Sequence, residues 1–222
     1  MTDGHEQLSG SDLRQMPESK GSTHLIFRGL HIAFNVEVLE PRPWTEAQSA
    51  WAAELLADAP AGPVLELCAG VGHIGLGAVR DSTRNLVMVD VNPVAQRFAL
   101  ENASANEMAN RVEFRLSRIE EALGDDERYA IIVADPPWVR TAEISQFPKD
   151  PQLAIDGGDD GLDLARICVD LIDRHLVSGG SALLQLGNRE QAERIAEHTA
   201  QGSLRVVETR AYERGVLVHL RR

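Results

Sequence analysis

Segments with β-strand character alternate with segments of helical periodicity through most of this chain, and this alternation restricts its fold more than any other feature. The strand-like segments cover residues 63–67, 85–90, 111–116, 129–135, 180–187, 204–213 and 215–222. The helical segments cover residues 73–80, 93–106, 119–123, 163–176 and 189–200. Alternating strands and helices form a parallel sheet with helices on both faces, whereas consecutive strands pair in antiparallel fashion. We therefore predict an α/β fold: a doubly wound, mostly parallel, seven-stranded Rossmann-like sheet with an antiparallel edge strand.

The chain before the first parallel strand divides into a tail, a hairpin and a helix. Residues 1–22 are rich in Ser, Gly, Asp and Glu, which predicts a flexible tail followed by one folded domain over 23–222. Apolar and polar side chains alternate over residues 25–41 around an Arg-Gly pair, which predicts a short hairpin. A helix is expected next, with Thr45 as its N-cap and Glu46 in its first turn. The predicted apolar face of that helix consists of Ala50, Trp51, Leu55 and Leu56.

Charge and apolar run length restrict the partners and the compartment. The formal net charge of −12 repels phosphate backbones, so nucleic acid is the less favoured partner. No apolar run approaches the roughly 20 residues that span a bilayer, and the polar start of the chain lacks an apolar signal core. We expect a cytoplasmic protein without a membrane partner. Cys68 and Cys168 lie in apolar stretches without metal-ligand spacing, so we interpret them as core thiols and predict no metal site.

A glycine motif follows the first strand of the predicted parallel sheet. Gly70, Gly72 and Gly75 form the pattern G-x-G-x-x-G, and Asp90 follows 20 residues after Gly70 at the end of the next strand. The pattern alone fits NAD, FAD or S-adenosylmethionine (SAM), since each needs a tight turn and an acidic acceptor for ribose hydroxyls. A turn with a purely structural role is the alternative. His73 opens the following helix, where packing or capping is favoured over catalysis.

The position of Glu66 decides between these cofactors. Glu66 ends the strand four residues before Gly70, and we expect its carboxylate to reach into the glycine turn. A dinucleotide pyrophosphate would be repelled there, whereas the sulfonium and ammonium of SAM would be attracted. The predicted cofactor is therefore SAM.

The sequence Asp135-Pro136-Pro137-Trp138 follows the strand 129–134 directly, at the edge of the sheet where a ligand is expected. The prolines lack N–H donors, so backbone carbonyls and the Asp135 carboxylate are left to accept hydrogen bonds from an –NH₂ group. Such contacts would aim the nitrogen lone pair at the methyl group. Trp138 would stack on a planar acceptor or enclose a cationic one. All four residues are candidate catalytic residues, and a loop end with a packed tryptophan is the alternative.

These motifs resemble the HemK/PrmC family of glutamine N5-methyltransferases, whose fold is the class I SAM-dependent one. The resemblance extends from about residue 27 to residue 222, and its motifs lie at 27–30, 40–45, 70–75, 135–138, 156–163 and 210–214. It implies that Glu66 and the glycine turn bind the methionine part of SAM, that Asp90 binds the ribose, and that Asp135 with Pro136 binds the acceptor nitrogen. The candidate SAM contacts are Thr45, Glu66, Cys68, Ala69, Gly70, Gly72, Asp90, Val91, Ser117 and Asp135.

The chain departs from the family pattern in three places. The family motif is Asn-Pro-Pro-Tyr, and Asn both donates and accepts, whereas an ionised Asp135 only accepts. This change favours a donor-only guanidine or an adenine-like amino group over glutamine. A short polar tail is expected in place of the helical N-terminal domain of release-factor methyltransferases. Arg118 stands near the family's acidic adenine contact, so Ser117 or backbone groups are expected to contact the adenine.

Three functions remain open from the sequence. The first is SAM-dependent N-methylation of an amide, amino or guanidino nitrogen in a protein or small molecule. The second is methylation of an adenine or guanine amino group in nucleic acid, because Asp-Pro-Pro-aromatic motifs also occur at strand ends in such enzymes. The third is a SAM-binding partner protein without catalysis.

Overall fold

A computed structural model describes residues 21–222, so all but the last two residues of the predicted tail lie outside the described part of the chain. The strands are β1 (Thr23–Phe27), β2 (Leu30–Phe34), β3 (Val64–Leu67), β4 (Leu86–Asp90), β5 (Val112–Leu116), β6 (Tyr129–Ala134), β7 (Leu176–Leu186), β8 (Arg205–Ala211) and β9 (Val216–Arg221). The helices are α1 (Thr45–Ala57), α2 (His73–Val79), α3 (Pro93–Ala105), α4 (Gln152–Ile155), α5 (Asp163–His175) and α6 (Arg189–Thr199).

Seven strands form one sheet in the order β5-β4-β3-β6-β7-β9-β8. Neighbours from β5 to β7 pair in parallel, and β9 pairs antiparallel with both β7 and β8. The predicted mostly parallel, seven-stranded α/β sheet is confirmed. The antiparallel pairing lies at one edge of the sheet, as predicted. The antiparallel strand β9 is not the edge strand itself, however, because it lies between β7 and the outermost strand β8.

Two apolar cores cover the two faces of this sheet. Ile131 and Val133 of β6 pack into the core that α1, α2 and α3 build together with the β1–β2 hairpin. Ile132 and Ala134 of the same strand point the other way, into the core that contains α5 and α6. This period-2 alternation between two buried faces explains why β3 and β6 are apolar almost throughout. Among residues 21–222, no helix is long and apolar enough to cross a membrane.

Helix α1 differs from the prediction at its start and in its buried face. Its N-cap is Trp44, and the Thr45 hydroxyl donates instead to the carbonyl of Arg42 at 2.7 Å. The buried face combines Trp51 and Leu56 with polar residues, because Gln48 and Ser49 bond to carbonyls of other elements. Ala50 and Leu55, which were expected on that face, are only partly buried.

Other local differences from the prediction lie in loops and at element ends. The β1–β2 hairpin is confirmed, and Arg28 and Gly29 both have positive φ at its turn, as a type I′ turn requires. The helix expected at 119–123 is a 3₁₀ turn over Ile119–Glu121. The polar loop before α5 contains a 3₁₀ turn at Thr141–Gln146 and the short helix α4.

Candidate functional site

A cleft of about 630 Å³ opens at the carboxyl ends of β3, β4 and β6. The strand order reverses beside β3, which is where ligands bind in open α/β sheets. The volume lies in the range of small-molecule sites. The predicted residues that line the cleft are Thr45, Cys68, Ala69, Gly70, Asp90, Val91, Asp135 and Pro137. The cleft therefore lies where the sequence predicted a ligand site, and it brings the glycine turn and the Asp135 motif together.

The glycine turn has three residues in the left-handed region, with φ of 58° at Cys68, 51° at Gly70 and 77° at Gly72. A β-carbon at Gly70 would meet no atom within 4 Å, so the backbone there is open to the cleft. A β-carbon at Gly72 would fall 2.8 Å from the Met88 side chain. Gly70 thus leaves room for a ligand, whereas Gly72 lets the turn pack on β4 and does not line the cleft.

Glu66 lies behind the glycine turn and not in the cleft, which corrects the prediction that its carboxylate reaches the ligand. Its Oε1 accepts a hydrogen bond from the backbone N–H of Gly75 at 3.0 Å, and its buried Oε2 has no partner. Burial raises the pKa of Glu66 to about 8, and the nearby charges of Asp135 and Asp90 act in the same direction. Glu66 therefore holds helix α2 against β3. The repulsion argument that favoured SAM over a dinucleotide does not apply to a carboxyl in this position.

Asp90 is at the end of β4, on the wall of the cleft. Its Oδ2 accepts from the N–H of Gly70 at 2.8 Å, and its Oδ1 accepts from the N–H of Asn92 at 2.9 Å. Burial raises its pKa. A carboxylate has about four acceptor positions, so these backbone contacts leave acceptor capacity for ligand hydroxyls.

Asp135 follows β6 and lines the same cleft as Asp90, whose strand β4 lies on the other side of β3. Burial alone raises its pKa to about 7. Near neutral pH both its protonated and its ionised form are therefore populated. The protonated form donates one hydrogen bond and accepts others, whereas the ionised form only accepts.

Three other predicted residues lie outside the cleft. Pro136 is buried. A β-carbon at Gly187 would fall 2.5 Å from Cε3 of Trp138, so the bare glycine after β7 makes room for the indole ring. The Trp138 carbonyl accepts from Nε2 of Gln191 at 2.9 Å, and this packed position matches the alternative interpretation of the tryptophan. Ser117 donates its hydroxyl to the carbonyl of Arg118, at 3.1 Å.

The cleft also contains residues that the sequence did not single out as contacts. The charged ones are Glu37, Glu40, Arg42, Arg118, Glu120, Asp156 and Asp163. They lie mostly on irregular segments, which carry no periodicity that would place them. His73 lines the cleft too, although its packing role was favoured from the sequence. Glu120 is an acidic group two residues beyond the position where Arg118 replaces the family's acid.

The sequence is similar to those of known methyltransferases. Residues 47–147 match the family model described as the methyltransferase small domain. A release factor glutamine methyltransferase of Cereibacter sphaeroides is 32% identical over 168 residues, which are 73% of this chain and 58% of that protein. A ribosomal protein uL3 glutamine methyltransferase of Francisella tularensis is 30% identical over 134 residues, which are 58% of this chain and 42% of that protein. The chain is HemK/PrmC-like. It spans about half the length of these curated relatives.

Solved structures agree on the fold of this HemK/PrmC-like chain. The tRNA (uracil-54, C5)-methyltransferase of Pyrococcus abyssi, solved with S-adenosyl-L-homocysteine, superposes with a TM-score of 0.61 at 16% identity. The match covers 90% of this chain and 44% of that one. The class I methyltransferase fold is therefore confirmed, and the match to the methyltransferase small domain supports SAM as the cofactor. The free acceptor positions of Asp90 and the open backbone at Gly70 suit a nucleoside of this kind.

Proposed function

We propose that this chain is a SAM-dependent N-methyltransferase that modifies an amide, amino or guanidino nitrogen of a protein side chain. The observation that carries the proposal is that the glycine turn, Asp90 and Asp135 open into one cleft. The names of the relatives, which describe glutamine methyltransferases of a release factor and a ribosomal protein, support a protein substrate. They also support a cytoplasmic location, and we propose a catalytic domain over residues 23–222.

The proposed roles follow from the positions of the side chains. Asp90 would accept hydrogen bonds from the ribose, and the backbone around Gly70 would face the methionine part. Bound SAM supplies an electrophilic methyl group on a sulfonium. Asp135 and the backbone before Pro136 would hold the acceptor nitrogen. Its N–H proton would be released to solvent as the N–C bond forms and the methyl–sulfur bond breaks, which leaves S-adenosylhomocysteine. Asp135 follows the β6 strand end and lines the cleft, so its carboxyl group is proposed to orient that nitrogen.

The protonation of Asp135 bears on the identity of the acceptor. The protonated carboxyl offers one donor beside an acceptor, as the family's Asn does, and so suits a primary amide. The ionised carboxylate suits a donor-only guanidine or amine. A pKa of about 7 makes both forms available, so glutamine stays among the proposed acceptors.

The charge of the cleft supports a neutral or cationic acceptor over one that carries phosphates. Seven carboxyl groups line it, and the only arginines among the lining residues of the described chain are Arg42 and Arg118. Arg42 pairs with Asp150 at 2.6 Å, and Arg118 pairs with Glu120 at 2.8 Å. Phosphate groups would therefore meet mostly uncompensated negative charge.

The test is transfer of labelled methyl groups from SAM into a cell extract, followed by separation of protein, nucleic acid and small molecules. Wild type is compared with Asp135→Ala and with the control Asp81→Ala, which alters an exposed carboxylate two residues after the end of α2. We expect label in protein that is lost only in Asp135→Ala. Label in nucleic acid would instead support an amino-group methyltransferase of nucleic acid. SAM binding without label in any fraction would identify a non-catalytic partner protein.

A further inference from the structure

On the wall of the cleft, two successive hydrogen bonds link the buried side chain of His73 to Thr45 and Thr45 to the backbone of Arg42. The imidazole Nε2 lies 3.1 Å from Oγ1 of Thr45, and that oxygen lies 2.7 Å from the carbonyl oxygen of Arg42. His73 is 9% exposed and Thr45 is 2% exposed, and both line the cleft. Thr45 is a predicted cofactor contact, and His73 has no role in the site described above.

The distances show which atom donates the hydrogen in each of these two hydrogen bonds. Two oxygens at 2.7 Å need a hydrogen between them, and a carbonyl has none, so the Thr45 hydroxyl donates to Arg42. The single hydroxyl hydrogen is then used, so the contact with His73 must be donated by the imidazole. His73 is therefore the tautomer that carries its proton on Nε2.

The imidazole is held in this state by its surroundings. The Phe27 ring meets it edge to face, with ring centroids 4.8 Å apart and an angle of 84° between the planes. Burial lowers the pKa of His73 to about 3, which keeps the ring neutral at physiological pH. Its other nitrogen, Nδ1, is buried without a partner.

The Thr45 hydroxyl can make one more hydrogen bond, and only as an acceptor. Its hydrogen goes to Arg42 and one lone pair accepts from His73, so the remaining lone pair can only accept. An acceptor on this wall suits a cationic N–H donor and not a carboxylate. The methionine part of SAM carries one such donor, its ammonium.

We propose that His73 is a positioning residue that fixes the Thr45 hydroxyl as an acceptor for the cofactor's ammonium. The inference rests on the proposed cofactor site but goes beyond it, because it assigns a role to a side chain that does not itself need to touch the cofactor. Without the His73 donor, the hydroxyl would lose the contact that holds its free lone pair toward the cleft.

Calorimetric binding tests this inference without any turnover. The probes are S-adenosylhomocysteine and its desamino analogue, which lacks only the amino group. The proteins are wild type, His73→Leu, which removes the donor, and His73→Gln, whose side-chain amide keeps a donor. We expect His73→Leu to bind S-adenosylhomocysteine about tenfold more weakly, the equivalent of one charge-assisted hydrogen bond. The affinities of wild type and His73→Leu for the desamino analogue should differ by less than about twofold. His73→Gln should regain most of the affinity for S-adenosylhomocysteine that His73→Leu loses.

Several results would overturn the inference. Equal weakening of both probes would show general damage to the cleft, and an unchanged affinity for S-adenosylhomocysteine would show that His73 has no such role. If His73→Leu does not fold, the desamino comparison between wild type and Thr45→Val takes its place: equal loss for both probes would contradict an acceptor at Thr45. Wild type that binds neither probe would overturn the cofactor site itself, which distinguishes the failure of the proposed function from that of this inference.

Discussion

Glu66 makes the stability of this protein depend on pH in a direction opposite to that of an ordinary acidic side chain. It is 2% exposed, and one of its oxygens has no partner. Burial first, and then the charges of Asp135 and Asp90, raise its pKa to about 8 from the value of 4.5 expected in the unfolded chain. The folded state therefore keeps a proton that the unfolded state releases. The free energy of unfolding is highest below the unfolded pKa and falls as the pH rises toward about 8.

The substitution Glu66→Gln removes this titration and keeps an oxygen for the N–H of Gly75. Between about pH 5.5 and about pH 8, wild type should lose about 3 kcal/mol of unfolding free energy relative to the variant. Urea unfolding at both pH values measures the difference, and Glu54→Gln on the exposed face of α1 is the matched control. A gap between wild type and Glu66→Gln that stays constant with pH would refute the reasoning, because it would mean that Glu66 titrates alike in both states.

Four further substitutions have expected outcomes. Asp135→Asn should raise methyl transfer to a glutamine-containing peptide relative to wild type at about pH 8, where the carboxyl loses its donor, and should change it little at about pH 6; equal pH profiles would contradict this. Gly72→Ala should destabilise by about 2 kcal/mol, since φ is 77° and Met88 is close, whereas Gly70→Ala should cost about 1 kcal/mol; thermal unfolding that ranks the two the other way would be a contradiction. Gln48→Leu leaves two strand carbonyls without their donor and should cost about 2 kcal/mol in urea unfolding, a loss that a freely hydrated position would not show.

The sequence was sufficient to predict the sheet because the strands are distinctive at short range. β3 and β6 are short, apolar runs buried on both faces, and each is followed by turn residues. The same strand ends placed Asp90 and Asp135 on one edge, so their meeting in the cleft required only the parallel topology. β9 lies between β7 and β8, so β8 forms the edge of the sheet. This order depends on the pairing of β9 with β7, which is distant in the sequence, and two consecutive strands alone do not show which of them is outermost.

Side-chain direction accounts for most of the errors. Glu66 was placed correctly on β3, but strand alternation turns its carboxyl toward α2 instead of the ligand. Trp138 belongs to the expected motif, yet its ring lies where Gly187 leaves space, and this contact joins residues 49 positions apart in the chain. Thr45 has the residue type of an N-cap, but its hydroxyl is used by Arg42 and His73. Each of these outcomes depends on a tertiary neighbour that local propensity cannot specify.

The most direct test of the central claim is a crystal structure of the protein with S-adenosylhomocysteine. We expect the ribose hydroxyls about 3 Å from the Asp90 carboxylate, the homocysteine chain along the turn at Gly70, and the sulfur facing Asp135. A cofactor bound outside this cleft, or one whose sulfur faces away from Asp135, would contradict the proposal that these residues form a single methyl-transfer site.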